Sequence, residues 1–304
     1  MFVFHIFLKI KYVNEIIEMQ REKLLKTLRC VKIQTKEGFE EVFMANLTIR
    51  FYSNCLRRHT TFKMYLPNDV REGTPVEETK YNTRNVKTLF LLHGYTGDAE
   101  NWVPEQLADR YNFAVVIPNG ENSFWLDGIS TGHQFCKFLG EELLGFVRKN
   151  FNLATCKEDT YIMGLSMGGF GALHTALYYP DRFGKLAALS SALIVHEVAS
   201  MTEGSGNFMA NFEYYRECFG NPADLLESDN NPETLIKKIK SSGIAMPEIY
   251  MSCGTEDFLL ENNRQFHDFL EKEQVPHVYE ETAGNHDMAF WSKYVEIFVP
   301  KMFE

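Results

Sequence analysis

The stretch Tyr161-Ile-Met-Gly-Leu-Ser-Met-Gly-Gly-Phe-Gly171 constrains this chain more than any other. A β-favouring run, Asp159 to Met163, enters it, and a helix-favouring run, Ala172 to Tyr179, leaves it. Between them stands G-x-S-x-G, formed by Gly164, Ser166 and Gly168. This spacing has a steric reason. A serine held in a strained strand-to-helix turn needs neighbours without a Cβ, so that strand and helix can approach closely. The hydroxyl is then exposed at the carboxyl end of a sheet, next to a helix N-terminus that favours developing negative charge.

The rest of the chain supplies the sheet that such a turn requires. From Met44 onward, Leu47, Ile49 and Phe51 alternate, and the run Thr61 to Leu66 ends at Pro67, which predicts an antiparallel pair. A polar loop follows over Asp69 to Asn85. Strands and helices then alternate. Strands are predicted at Thr88–Leu92, Phe113–Ile117, Asp159–Met163, Leu186–Leu189, Glu248–Ser252 and Val278–Glu281. Helices are predicted at Asp98–Tyr111, His133–Asn150 and Met288–Phe298. Apolar strands alternating with helices predict an α/β fold, a mainly parallel sheet with helices on both faces. Sites in such sheets lie at the carboxyl ends of the strands.

Two segments stand apart. Residues 1–43 carry eight basic and six acidic side chains in a chain whose net charge is −10, and Val13 to Arg29 is patterned as an amphipathic helix. They have no place in this strand–helix alternation, so the catalytic domain is expected to be 44–304. Glu40-Glu41-Val42 can be encoded by a ribosome-binding sequence, which leads to the expectation that translation starts at Met44; a genuine docking helix is the rival. Residues 194–230 interrupt the strand–helix rhythm with a Gly-, Ser- and Asn-rich stretch followed by Phe212, Tyr214 and Tyr215. They read as a cap over the site or as a surface insertion.

Composition excludes some classes. The acidic balance disfavours nucleic acid as a partner, because no excess of Lys and Arg is present to neutralise phosphates. No apolar run is long enough to span a membrane, and the apolar start lacks a basic n-region and a cleavage site. The six cysteines are scattered, with no C-x-x-C pair and no Cys/His cluster at zinc-ligand spacing. They read as reduced thiols, and the location expected is cytoplasmic. Self-association into a homo-oligomer stays open.

A serine nucleophile needs a base and a group to orient that base. Among the downstream histidines, His174 follows the elbow on its helix, His196 falls in the interrupted segment, His267 on a predicted helix and His277 at a strand start. His286, in Ala283-Gly-Asn-His-Asp287, lies in the loop after the last strand, where a base belongs. The turn Cys253-Gly-Thr-Glu-Asp-Phe258 offers Glu256 and Asp257 as the acid, of which Asp257 is preferred. An oxyanion hole is expected from the backbone N–H groups of Met167 and Tyr95, the latter in Leu91-Leu-His-Gly-Tyr-Thr-Gly97. His93, upstream of the serine, reads as a structural residue that holds this loop. Trp102, Phe124 and Trp125 are candidates to line a pocket for an acyl or sugar group.

Taken together, Leu91 to Asp98 with Asn101-Trp102, Gly164 to Leu173, Cys253 to Phe258 and Asn285-His286 resemble the esterase D-like α/β-hydrolases, especially the bacterial tributyrin esterases and the acetyl-sugar or acetylxylan esterases. The resemblance runs from about Met44 to the C-terminus. It implies Ser166, Asp257 and His286 as a triad, Tyr95 and Met167 as oxyanion-hole backbones, short-chain acyl or carbohydrate esters as substrates, and no metal or organic cofactor. S-formylglutathione hydrolases differ in carrying a cysteine in the first loop and histidines flanking the Ser-Met-Gly-Gly core, where this chain has Thr96-Gly97-Asp98, Leu165 and Phe170. A thioesterase of that kind, and a relative that binds without catalysis, are the alternatives.

Overall fold

A computed structural model describes residues 45–67 and 79–304. The amphipathic segment of residues 1–43 and most of the polar loop after Pro67 lie outside the described residues.

Among the described residues the sheet has eight strands. It opens with β1 (Ala45–Ser53) and β2 (Arg58–Leu66), paired antiparallel in register from Ala45↔Leu66 to Ser53↔Arg58. Every second residue of β1 is exposed, as the alternating sequence requires of an edge strand with one face on the core. After β3 (Lys87–Leu92), the helix α1 covers only Glu105–Arg110, not the longer span predicted from Asp98. Pro104 stands at its N-cap and disfavours helical geometry in the residue before it, and the Asn101 side chain accepts from the Val103 N–H at 3.1 Å instead.

The strand β4 (Phe113–Pro118) leads to a long helix α2 over 135–151, whose middle turn, Phe138–Leu143, is a π segment. A Cβ at Gly140 would sit 2.2 Å from the Tyr179 ring, so this segment admits that ring only because residue 140 is glycine. Next come β5 (Thr160–Leu165), α3 (Met167–Tyr178), β6 (Lys185–Leu189), α4 (Val195–Ala199), α5 (Phe212–Phe219) and α6 (Pro232–Ser242). The chain finishes with β7 (Glu248–Gly254), α7 (Leu260–Lys272), β8 (His277–Thr282) and α8 (Met288–Phe303).

The strand order is β1-β2-β4-β3-β5-β6-β7-β8; β2 meets β4 antiparallel, and the pairings among β3 to β8 are all parallel. Alternate residues of the central strands enter opposite layers. Phe90 and Leu92 pack with Phe138, Val147 and Leu173 on the face of α2 and α3, whereas Leu89 and Leu91 pack with Phe298 and Phe303 of α8. The helix α8 continues past Pro300, beyond the predicted end at Phe298, because its last turn is core: Phe303 is fully buried and stacks on Phe113 with ring centroids 4.0 Å apart. Burial of that ring outweighs the backbone bond that a proline forfeits. The five cysteines among the described residues are free thiols, four of them buried.

His174 is packed inside, not at the site. Its Nε2 lies 2.9 Å from the Asp229 carbonyl oxygen and its ring stacks on Phe170. Burial pushes its pKa from 6.5 down to about 4. The unfolded chain therefore takes up this proton first on acidification, and stability drains away as the pH falls through that interval. We expect the urea midpoint to drop between pH 7 and pH 4, and to drop less in His174→Gln; an equal drop in both proteins would contradict this assignment.

Candidate active site

Ser166 occupies the one-residue bend between β5 and α3, at φ 54° and ψ −120°. For a residue with a Cβ this is a costly backbone, held here from both sides. The Ser166 N–H donates to Leu189 O at 2.9 Å, and the Ser166 carbonyl accepts from Phe170 N–H at 3.1 Å and Ala192 N–H at 3.0 Å. The two flanking glycines are steric requirements. A Cβ on Gly164 would lie 2.0 Å from Gly168 O, and one on Gly168 would lie 2.2 Å from Leu92 O.

His286 and Asp257 come to this serine from the carboxyl ends of the last two strands. Nε2 of His286 lies 3.0 Å from Ser166 Oγ, and Nδ1 lies 3.0 and 2.9 Å from the two carboxylate oxygens of Asp257. The Asp257 side chain is fully buried, and that of His286 is 18% exposed, so the imidazole keeps some access to solvent while the carboxylate against it is shielded. Burial would raise the Asp257 pKa. Hydrogen bonds from the His286 ring and from the Leu259 N–H at 2.9 Å outweigh it and hold the carboxyl below its ordinary value. Glu256, the other candidate acid, turns the opposite way. Its carboxylate accepts from the Gly284 N–H at 2.6 Å and its own N–H donates to Gly284 O at 3.0 Å. It pins the histidine loop and does not touch the imidazole.

The loop after β3 is held by His93. Its Nδ1 lies 2.8 Å from Gly94 O and its Nε2 accepts from the Gly120 N–H at 2.9 Å, so the tautomer with hydrogen on Nδ1 satisfies both. Burial keeps this ring below its ordinary pKa, in keeping with a neutral structural histidine. Tyr95 follows it and lines the cavity together with Ser166 and Met167. Neither the Tyr95 N–H nor the Met167 N–H makes a hydrogen bond among the described residues.

The cavity beside Ser166 measures about 220 Å³. Phe124, Met167, Tyr214, Tyr215, Phe258 and Leu259 give it a mostly apolar wall. Phe208 and Met209 extend that wall to the surface. Residues 194–230 thus contribute one side of the cavity, tied down by the Tyr214 hydroxyl donating to Asn122 O at 2.6 Å and by Glu217 O accepting from Ile129 N–H at 3.1 Å. Phe124 lies where the sequence placed a pocket residue, but Trp102 and Trp125 do not line this cavity. Trp125 is fully buried behind the elbow, where its ring fills the space left by Gly120 and Gly171 and its Nε1–H donates to His93 O at 3.3 Å. Trp102 packs on the layer of α8.

Two residues went unnoticed in the sequence. Asn263, fully buried on α7, accepts from Ser191 N–H at 3.2 Å and donates to Ser191 O and Leu259 O, both at 2.9 Å. It thereby fixes the loop after β6 to the loop that carries Asp257. Glu197 is the one acidic or basic residue among the described residues that line the cavity, and it accepts from Asn262 Nδ2 at 2.9 Å. Each is a single polar residue on a helix, with no motif around it to single it out.

Comparison with known proteins adds the lineage. The family model described as "Putative esterase" matches residues 53–296. The chain belongs to this esterase family. It is 41% identical over 256 residues to an acetyl esterase of Caldicellulosiruptor saccharolyticus, a match that spans 83% of this chain and 96% of the relative. Among solved structures it resembles the fluorophosphonate-binding serine hydrolase F of Staphylococcus aureus, at 26% identity and a TM-score of 0.73 over 86% of this chain and 99% of the other. The S-formylglutathione hydrolase of the same organism aligns at 26% identity and a TM-score of 0.70, again over 86% and 99%. The protein is a serine-dependent carboxylic ester hydrolase with the α/β-hydrolase fold. No helix among its described residues is long and apolar enough to cross a membrane.

The geometry around this family's serine gives different weight to the two neighbouring acids. Asp257→Asn should lower kcat by about 10⁴-fold, the scale at which a mis-set histidine tautomer acts. Glu256→Gln should cost far less and act mainly through loop stability. Steady-state kinetics of the two variants on one ester decide the point, and equal losses or a reversed order would move the orienting role to Glu256.

Proposed function

We propose that this esterase hydrolyses short acyl esters, acetyl to butyryl, with acetylated sugars among its substrates, through an acyl-enzyme on Ser166. The observation that carries the reading is the unbroken line from Ser166 Oγ through both nitrogens of His286 to Asp257, each link at 3.0 Å or less. In this scheme His286 Nε2 takes the hydroxyl proton as Oγ attacks the ester carbonyl. The oxyanion that forms is met by the N–H groups of Tyr95 and Met167, the latter in the first turn of α3, where the helix dipole adds to the stabilisation. As the tetrahedral intermediate collapses, the same histidine protonates the leaving alcohol. Water then repeats the sequence on the acyl-serine and releases the acid. Asp257 orients the imidazole and stabilises the imidazolium while it exists.

Support for short chains comes from the size of the cavity and from the relative named acetyl esterase. About 220 Å³ is below the roughly 300–1,000 Å³ of pockets that take drug-sized ligands. The thioesterase reading is favoured by the S-formylglutathione hydrolase neighbour. Glu197 weighs against it. Glutathione is a net anion at neutral pH, and an acidic residue in the lining disfavours an anionic leaving group, whereas a neutral polyol can donate hydroxyls to the carboxylate.

The experiment is a panel of p-nitrophenyl esters from acetate to octanoate, with acetylated xylo-oligosaccharide and S-formylglutathione alongside. We expect kcat/KM to peak at acetate to butyrate and the acetylated sugar to exceed S-formylglutathione. A preference for octanoate would point to a lipase-like pocket, and a preference for S-formylglutathione would favour the thioesterase. Ser166→Ala should lower kcat by about 10⁴-fold or more with the fold intact. Glu197→Gln should reduce kcat/KM on the acetylated sugar about fivefold, the scale of one hydrogen bond, and leave p-nitrophenyl acetate nearly unchanged. Equal effects on both substrates would remove Glu197 from recognition of the alcohol.

A further inference from the structure

The start of β8 carries a second cluster of ligating side chains, at the opposite end of that strand from the loop that holds His286. His277 is its first residue. Nδ1 of this ring lies 2.8 Å from the Val275 carbonyl oxygen, so Nδ1–H is the donor and Nε2 presents its lone pair. That Nε2 faces His267 Nδ1 at 2.7 Å and Glu271 Oε1 at 3.9 Å. His267 and Glu271 stand four residues apart on α7, on one face of the helix. The Tyr279 ring stacks on His267 with centroids 4.6 Å apart and planes within 26°, which fixes the plane of that imidazole. The His277 side chain is only 1% exposed and that of Glu271 is 66% exposed, so the cluster is anchored on one side and open to solvent on the other.

We propose that His267, Glu271 and His277 bind a first-row divalent cation, with Zn²⁺ the best fit, which ties α7 to the start of β8. One ligating atom of each residue lies within 4.8 Å of the other two, and no other such trio occurs among the described residues. Ligands at 2.0–2.1 Å around a tetrahedral zinc ion stand about 3.3 Å apart. The present separations of 2.7 and 3.9 Å bracket that value, and the exposed Glu271 side chain is free to adjust. Two imidazoles and one carboxylate leave a fourth position for water. The Val275 carbonyl is the outer partner that a metal-bound histidine has, orienting the ring and fixing its tautomer. Without the ion, His267 Nδ1–H donates to His277 Nε2. On binding, the ion takes the place of that hydrogen, which moves to His267 Nε2, and both lone pairs turn to the metal. The ester hydrolysis routes no step through this site.

The sequence concealed the cluster because its members do not follow a ligand spacing: a helical pair is completed by a residue from the next strand. The test uses the full chain after treatment with a chelator, titrated with ZnCl₂ by calorimetry and melted with and without zinc. We expect uptake of one Zn²⁺ per chain and a higher Tm, with both effects lost in His267→Gln. Removing a direct ligand costs at least as much as removing an outer partner, so Glu271→Gln should weaken uptake by at least about tenfold. Cys156→Ser, at the exposed thiol, should leave uptake unchanged. Both cluster variants should keep esterase activity, which certifies that they fold. Absence of uptake by the parent protein, or uptake that survives both His267→Gln and Glu271→Gln, would overturn the proposal.

Discussion

Backbone meets backbone at the turn that carries Ser166, and the rest of the site is arranged around that contact. The helix α3 leaves β5 within one residue because Gly164 and Gly168 let the strand, the helix and the end of β3 approach to distances that no Cβ would permit. This geometry does three things at once. It lifts the hydroxyl above the sheet, aims the first turn of α3 at the space beside it, and leaves the Met167 N–H without a partner among the described residues. The strained φ of Ser166 is sustained by bonds from β6 and from the loop after it, so the position of the serine depends on the sheet as a whole.

The same device recurs on the other side of the site. A Cβ on Gly254 would lie 2.1 Å from Gly284 O, so the loop with Asp257 and the loop with His286 pack directly on one another. Glu256 clasps them from outside through both its carboxylate and its N–H, and Asn263 fastens the acid loop to the loop after β6. Three loops from three strand ends are thereby locked into one body. The 2.9–3.0 Å spacings at His286 follow from that lock, since the imidazole has little room to leave the line between Ser166 and Asp257.

Local chemistry made the elbow legible in the sequence, and topology made the meeting of His286 and Asp257 with Ser166 legible, because a parallel sheet gathers the loops after its strands at one end. The strands were readable for the same reason: runs such as Leu89–Leu92 and Phe113–Ile117 are apolar throughout and buried on both faces. What escaped was set by tertiary packing. Nothing local says that α8 should run through Pro300, a choice made by the fit of Phe303 against Phe113. Trp125 and Trp102 carry the same apolar chemistry as pocket residues, and only the void at Gly120 and Gly171 sends Trp125 behind the elbow. Asn263 and Glu197 act through partners remote in sequence, and His277 joins His267 only when β8 is laid beside α7.

The account stands on covalent chemistry at Ser166. Rapid acid quench of the protein during turnover of p-nitrophenyl acetate, followed by intact mass and peptide mapping, tests it most directly. The account predicts one acetyl group per chain on the peptide that contains Ser166, appearing with the first burst of p-nitrophenol and decaying as substrate is exhausted. Acetylation of a different residue, or a full burst of product with no acetyl group on the protein, would contradict it.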